Sequence, residues 1–305
     1  YVLGALRVEP RKQPLAIRGR GLLSGERFDW HAQQGGEDIH MIHMRNTGGQ
    51  GHLLEGITIV NSPYYSVSSR AVPLDLRNIK LLGNWRFNND GINAMENSVV
   101  EDCFFQADDD TIKLYASNPT IRRCVIWQLH NGAVFQFGWF NKTISGGRIS
   151  QIDVIHMEST WAGNDNLGLI NFRPRGDKRD GVIRDFRFED IVMEGPVLRA
   201  FSLRPPSRQV IRDITVRNVS IDRWRFTPPP DGYPINYLDG DGLIENIRIV
   251  NLRVGGQPVD ACRAMSDDWF RIGPNAKNVL FENEVAPAPF ETIVKHMRGR
   301  KKRNR

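Results

Sequence analysis

The residues with the clearest chemical potential are acids. Asn88-Asn89-Asp90-Gly91 is followed by Asp108-Asp109-Asp110, so Asp109 and Asp110 lie 19 and 20 residues after Asp90. If that interval is one structural repeat, three carboxyl groups crowd together. Like charges that close cannot all ionise freely, so at least one pKa must rise. A carboxylic acid held protonated beside an ionised one is what hydrolysis of a glycosidic bond requires: one donates to the leaving oxygen, the other activates water. Taken alone, three consecutive Asp also fit a turn, a calcium site or a solvated edge. The neighbours favour chemistry. Thr111-Ile112-Lys113-Leu114-Tyr115 follows directly and places the acids at a strand end. About one repeat later come His130 and Asn131, then Gln136-Phe137-Gly138-Trp139. Aromatic rings can cover the apolar face of a sugar and amides can bond its hydroxyls. Trp139 fits core packing equally well.

The elements that must hold these residues are short and β-branched, with Asn, Asp or Gly at their ends. Examples are Gly56 to Asn61, Leu76 to Asn84, Val99 to Phe105, Ile121 to Trp127 and Val210 to Ile221. Most alternate apolar and polar residues, which argues strands with one face inward. No segment carries an apolar stripe of helical period over three turns. The phrase Ile-x-(Asn/Asp/Cys)-x-x-(Val/Ile/Phe) recurs at intervals of about 21 to 33 residues. A β-sandwich would not predict this recurrence, whereas stacked coils do. The pattern therefore predicts an all-β parallel β-helix, a solenoid with like residues stacked between coils. Cys103 and Cys124 fall at matching positions, which reads as stacked buried thiols in preference to a disulfide. Thr227 to Pro234 reads as a loop between coils. Residues 1–286 read as one domain, and 287–305 as a basic, solvated tail.

Composition narrows the function. The chain has 305 residues, is 40% hydrophobic and carries a net charge of +6. The last eight residues hold six Lys or Arg, and the rest balances at 35 basic against 35 acidic. Nothing here points to nucleic acid, and no apolar run is long enough for a membrane helix. Three cysteines make no disulfide framework and no zinc motif. There is no HExxH, Walker A or GxSxG. His40 and His43 are weak candidates for a metal pair, and His156 reads as a packed strand histidine. Asn141-Lys142-Thr143 and Asn218-Val219-Ser220 are sequons that matter only in a secreted eukaryotic protein.

Four motifs in order, Trp85-Arg86-Phe87-Asn88-Asn89-Asp90-Gly91, Ala107 to Tyr115, Ile126 to Gly132 and Gln136 to Trp139, resemble glycoside hydrolase family 49, the dextranases and isopullulanases. The likeness runs from about Ile17 to near Asn283. It implies a right-handed, single-stranded parallel β-helix acting on α-glucan, dextran foremost, by inversion and without cofactor or metal. By position Asp109 matches the general acid, and Asp90 and Asp110 match the carboxylates that activate water. Asp108 matches a site-lining acid. Lys113, Tyr115, His130, Asn131, Gln136 and Trp139 would line the subsites, as would Asn89, which stands where the family has Ser or Thr. By the same resemblance, the family's N-terminal β-sandwich is expected to be absent or truncated in this chain. The expected partner is the polysaccharide alone, met by a monomer outside the cell or in the periplasm. A polygalacturonase-like reading lacks its Gly-His-Gly and Arg-x-Lys. A pectate-lyase-like reading would use Arg173 or Arg175 as base. A β-helix that only binds glycan would show its acids spread apart or plugged. Acid and base about 6.5–9.5 Å apart would fit inversion, and about 5–5.5 Å retention.

Overall fold

The computed structural model describes residues 1–9, 13–44, 51–70, 72–158, 163, 165–173, 175, 179–226 and 235–284. Both the 227–234 loop and the 287–305 tail lie outside them. Two parallel sheets carry the architecture, one of 10 strands and one of 18. The 10-stranded sheet begins Leu6–Val8, Ile42–Met44, Val67–Ser69, Ile92–Ala94, Ile112–Leu114, Ala133–Gln136 and Gly168–Phe172, one strand per coil. Every adjacent pair is parallel. The chain therefore winds as a right-handed parallel β-helix, as expected.

Alternation decides what faces where. In Ile112-Lys113-Leu114 the outer two side chains point into the tube and the middle one points out. The register stacks Ile92, Ile112, Phe135, Ile170 and Phe201 on the inside. A second stack in the larger sheet runs Leu76, Val100, Ile121, Ile149, Phe188 and Val216. These residues are fully or almost fully buried and form one continuous core.

The recurring Asn/Asp has a conformational cause. Asn78, Asp102, Arg123, Gln151, Asp190, Asn218 and Asn251 all have φ between 51° and 58°. Each sits where the larger sheet bends between two strand directions. Asn and Asp tolerate this left-handed region better than other residues with a Cβ. Their side chains then bond from coil to coil, as Asn218 Nδ2 to Asp190 Oδ1 (2.8 Å) and Asn251 Nδ2 to Asn218 Oδ1 (2.9 Å). Coil spacings of 21, 28 and 33 residues agree with the sequence intervals. Cys103 and Cys124 stack in register as free, buried thiols.

Alternation does not reveal the helix Ala261–Ser266, too short to show a period. Asp260 starts it, its side chain accepting from Arg263 N at 2.8 Å. Among the described residues, no helix is long and apolar enough to cross a membrane.

Candidate active site

Asp90 sits just before the strand Ile92–Ala94, and Asp108 to Asp110 sit just before Ile112–Leu114. Ile92 and Ile112 are register partners, so the two acidic segments lie side by side on adjacent coils. Their glycines follow from close contact. A Cβ on Gly91 would lie 2.2 Å from the Thr111 carbonyl oxygen, and one on Gly132 would lie 2.2 Å from the Asp109–Asp110 peptide. Only hydrogen fits between these coils.

One oxygen from each of Asp90, Asp109 and Asp110 lies within 4.8 Å of the others. The acids are gathered rather than spread. All three are buried, at 2%, 6% and 1% exposure, so Asp109 is the most open to an incoming molecule. Lys113, from the outward row of the next strand, contacts Asp90 and lies 3.8 Å from Asp110. Its Nζ also donates to Tyr65 Oη at 2.5 Å. Asp90 and Asp110 both direct oxygens to that ammonium.

Electrostatics separates the three acids. Burial raises Asp90 well above the ordinary carboxylate range, and the charges of Asp109 and Asp110 add to this while Lys113 opposes it. Burial also disfavours the Lys113 ammonium, but Asp90 and Asp110 outweigh it and hold that group charged. With the ammonium in direct contact, the Asp90–Lys113 pair is ionic. Asp110 is pushed up to about 7, first by burial and then by Asp109. Asp108 is raised more modestly, again mainly by burial, while the His130 backbone N–H opposes the shift.

Backbone and amides fix the acids. Asp109 accepts at both oxygens, from Asp110 N (2.8 Å) and from Asn131 Nδ2. Asp110 Oδ1 accepts from Ala133 N (3.2 Å) and Gln136 Nε2 (3.3 Å). Gln136 is fully buried and also bonds Asn166 and Gly138 N, so it positions Asp110. Asn89 differs from its expected role of lining a subsite. Its amide donates to Ser62 O and Tyr64 O, and its carbonyl accepts from Arg86 N. These bonds brace the turn before Asp90.

His130 is exposed at the rim, its ring 3.5 Å from Asp108 and 3.7 Å from Glu158. Tyr115 lies beneath the Lys142 ammonium, 4.0 Å from ring centroid to Nζ. Trp139 has the guanidinium groups of Arg173 and Arg175 over its ring at 5.3 and 5.0 Å. Arg173 is paired with Asp165 at 2.7 Å. His156 is exposed, on the strand Arg148–Met157 beside Trp127. Asn141 is buried and bonded to Arg179 O and Ser207 O, which closes that sequon. Trp85 and Phe87 stand 57% and 55% exposed although they belong to a motif flanking the acids. That exposure is not visible in the sequence.

The fold and the acids together define a parallel β-helix with a carboxylate site on its outward sheet. Among solved structures, Dex49A from Penicillium minioluteum matches with a TM-score of 0.72 at 23% identity, over 88% of this chain and 52% of that one. An endo-xylogalacturonan hydrolase from Aspergillus tubingensis matches at 0.58 and 17% identity, over 87% and 76%. These likenesses give the fold. No family model matches the chain.

In sequence the chain is 26% identical to a dextranase of Arthrobacter sp. (strain CB-8), over 95% of its own length and 51% of the relative's. It is 29% identical to a dextranase of Talaromyces minioluteus (85% and 45%) and 27% identical to an isopullulanase of Aspergillus niger (87% and 53%). The motif resemblance to the dextranases and isopullulanases thus extends over most of the chain. The chain spans about half the length of the curated relatives it matches.

Proposed function

We propose that this protein is a glycoside hydrolase that cleaves α-glucan within the chain, dextran and its α-1,6 bonds foremost. The observation that carries the reading is the buried Asp90–Asp109–Asp110 cluster around one ammonium, in a chain similar to dextranases and an isopullulanase. Asp109, the most accessible acid, gives its proton to the glycosidic oxygen as the C1–O bond breaks. Asp90 and Asp110 hold a water that attacks C1 from the opposite face and accept its proton. Trp85, Phe87 and Trp127 offer rings to the sugar, and His130 and Asn131 offer polar contacts. The enzyme acts as a monomer, without cofactor, on a polymer met outside the cytoplasm.

The nearest acid oxygens are closer than the ~6.5–9.5 Å typical of inverting pairs. Inversion therefore rests on the family resemblance and is tested by the anomer of the first product. A second assignment has its own observation: Asp110 is held protonated to about pH 7 while both Asp109 oxygens accept hydrogen bonds. There Asp110 gives the proton and Asp109 takes it. Glycosyl fluorides decide between them, because fluoride leaves without protonation. Asp109→Asn should lose dextran hydrolysis by about 10²–10⁴-fold yet keep hydrolysis of an isomaltosyl fluoride. If Asp110→Asn spares the fluoride substrate and Asp109→Asn does not, the roles are reversed. No reducing-sugar release by the wild type from dextran or pullulan would sink the hydrolase reading.

A further inference from the structure

A cavity of about 490 Å³ lies on the earlier coils, beside the acids; of the residues that the motifs single out, Tyr115 lines it. Its floor is the outward row of the 10-stranded sheet: His43, Ser68 and Asn93, one per coil, a row that continues into Lys113. The antiparallel strands Gln33–Gln34 and Glu37–Asp38 contribute one rim. On the other side Tyr64 and Tyr65 stack with centroids 4.5 Å apart. His40 stacks on His43 (4.8 Å) and meets the Tyr65 ring edge-on (5.1 Å). Through its bond to Lys113, Tyr65 joins the cavity to the acids.

Three groups here have unmet capacity. His40 Nδ1 and Asn93 Oδ1 are buried atoms with no hydrogen-bond partner. A buried polar atom left unbonded costs about 1–3 kcal/mol, so a ligand that bonds it recovers that cost. Arg70 lines the cavity, and no ion pair involving it is present among the described residues. Charge chooses the ligand. Arg7 is tied to Glu9 and Glu37, at 2.9 and 3.3 Å, and along the cavity Arg7 and Arg70 balance Glu37 and Asp38. A charged polymer gains no net attraction from such a lining. Burial, and then His43, holds the His40 imidazole down to about 4, so it is neutral and presents one donor and one acceptor. Stacked rings with neutral donors and acceptors suit an uncharged sugar.

We propose that this cavity is a binding subsite for a neutral hexosyl unit of the polymer, and that His40, Tyr64 and Arg70 set the preference for long, uncharged chains. The proposal rests on the reading of the acids as a polysaccharide-cleaving site. His40→Ala and the exposed Arg70→Ala test it. Each should raise KM for dextran about tenfold, the equivalent of about 1.4 kcal/mol, while kcat stays within about twofold. Equal loss on a trisaccharide substrate, or no change in KM, would overturn it. Binding separates the two readings. By calorimetry, Asp109→Asn should bind an isomalto-oligosaccharide at least tenfold more tightly than the galacturonate oligomer of equal length. Adding His40→Ala should remove that advantage. If the wild type cleaves no α-glucan but this binding pattern holds, the hydrolase reading fails and the subsite stands. Equal binding of the two oligomers, or no effect of His40→Ala, would reject the subsite.

Discussion

Asp110→Asn should stabilise the protein at neutral and alkaline pH while abolishing catalysis. The folded pKa of Asp110 is about 7, against an ordinary value of 3.8. A raised folded pKa means that the native state binds a proton the unfolded chain has already released. Stability from this group is complete below pH ~4 and is lost as pH rises toward 7, at about 1.4 kcal/mol per pH unit. Over some three units the loss is about 4 kcal/mol, to within a factor of two. Asparagine keeps the shape, can still accept from Ala133 N, and carries no titrating proton. With an unfolding entropy of about 2.1 cal/mol/K per residue, 4 kcal/mol corresponds to roughly 6 °C for a chain this long. Thermal melts of wild type and variant from pH 4 to pH 8.5 would show it. The variant should gain progressively on the wild type with rising pH and level off above pH 7. A gap independent of pH, or a variant falling further behind toward pH 8, would refute the reasoning. Such gains on removing crowded charge are common where a site is built for function at the expense of stability.

Two further expectations follow from the packing. Lys113→Met should cost about 3–5 kcal/mol in chemical denaturation at pH 7, because it strands buried carboxylates without their cation; the deficit should shrink at pH 4, as the acids protonate. Asn218→Ala should destabilise more than Asn218→Gly by about 1 kcal/mol, since both lose the ladder bonds but only glycine accepts a φ of 54° without strain.

Much of this fold can be read in the sequence because one physical demand repeats. Each coil needs apolar residues at alternate positions and a residue tolerant of left-handed backbone at the bend, and the phrase around Asn78, Asp102, Asn218 and Asn251 records both. The acids are legible for the same reason, since the 20-residue interval from Asp90 to Asp110 is a coil length. The chemistry of an amide does not tell what it bonds. Asn89 and Gln136 look like sugar ligands, yet their partners are Ser62, Tyr64 and Asp110. The cavity around His40 is hidden for another reason. Its strands, Ile42–Met44 and Val67–Ser69, are three residues long and show no period, and its link to the acids joins Tyr65 to a residue 48 positions away. Lys113 is visible as a residue near the acids, but only geometry shows that its one ammonium is shared between Asp90 and Asp110.

The coil-to-coil ladders keep their spacing although the coils differ in length, from 21 residues between Asp102 and Arg123 to 33 between Asn218 and Asn251. The ladder spacing is thus independent of the number of residues between its rungs. The walls of the cleft can therefore lengthen, shorten or change charge without moving the floor on which the acids stand. For the proposed hydrolase, such a scaffold uncouples selectivity from bond cleavage: insertions can retune which polymer enters, while the register of two adjacent coils holds the acids together.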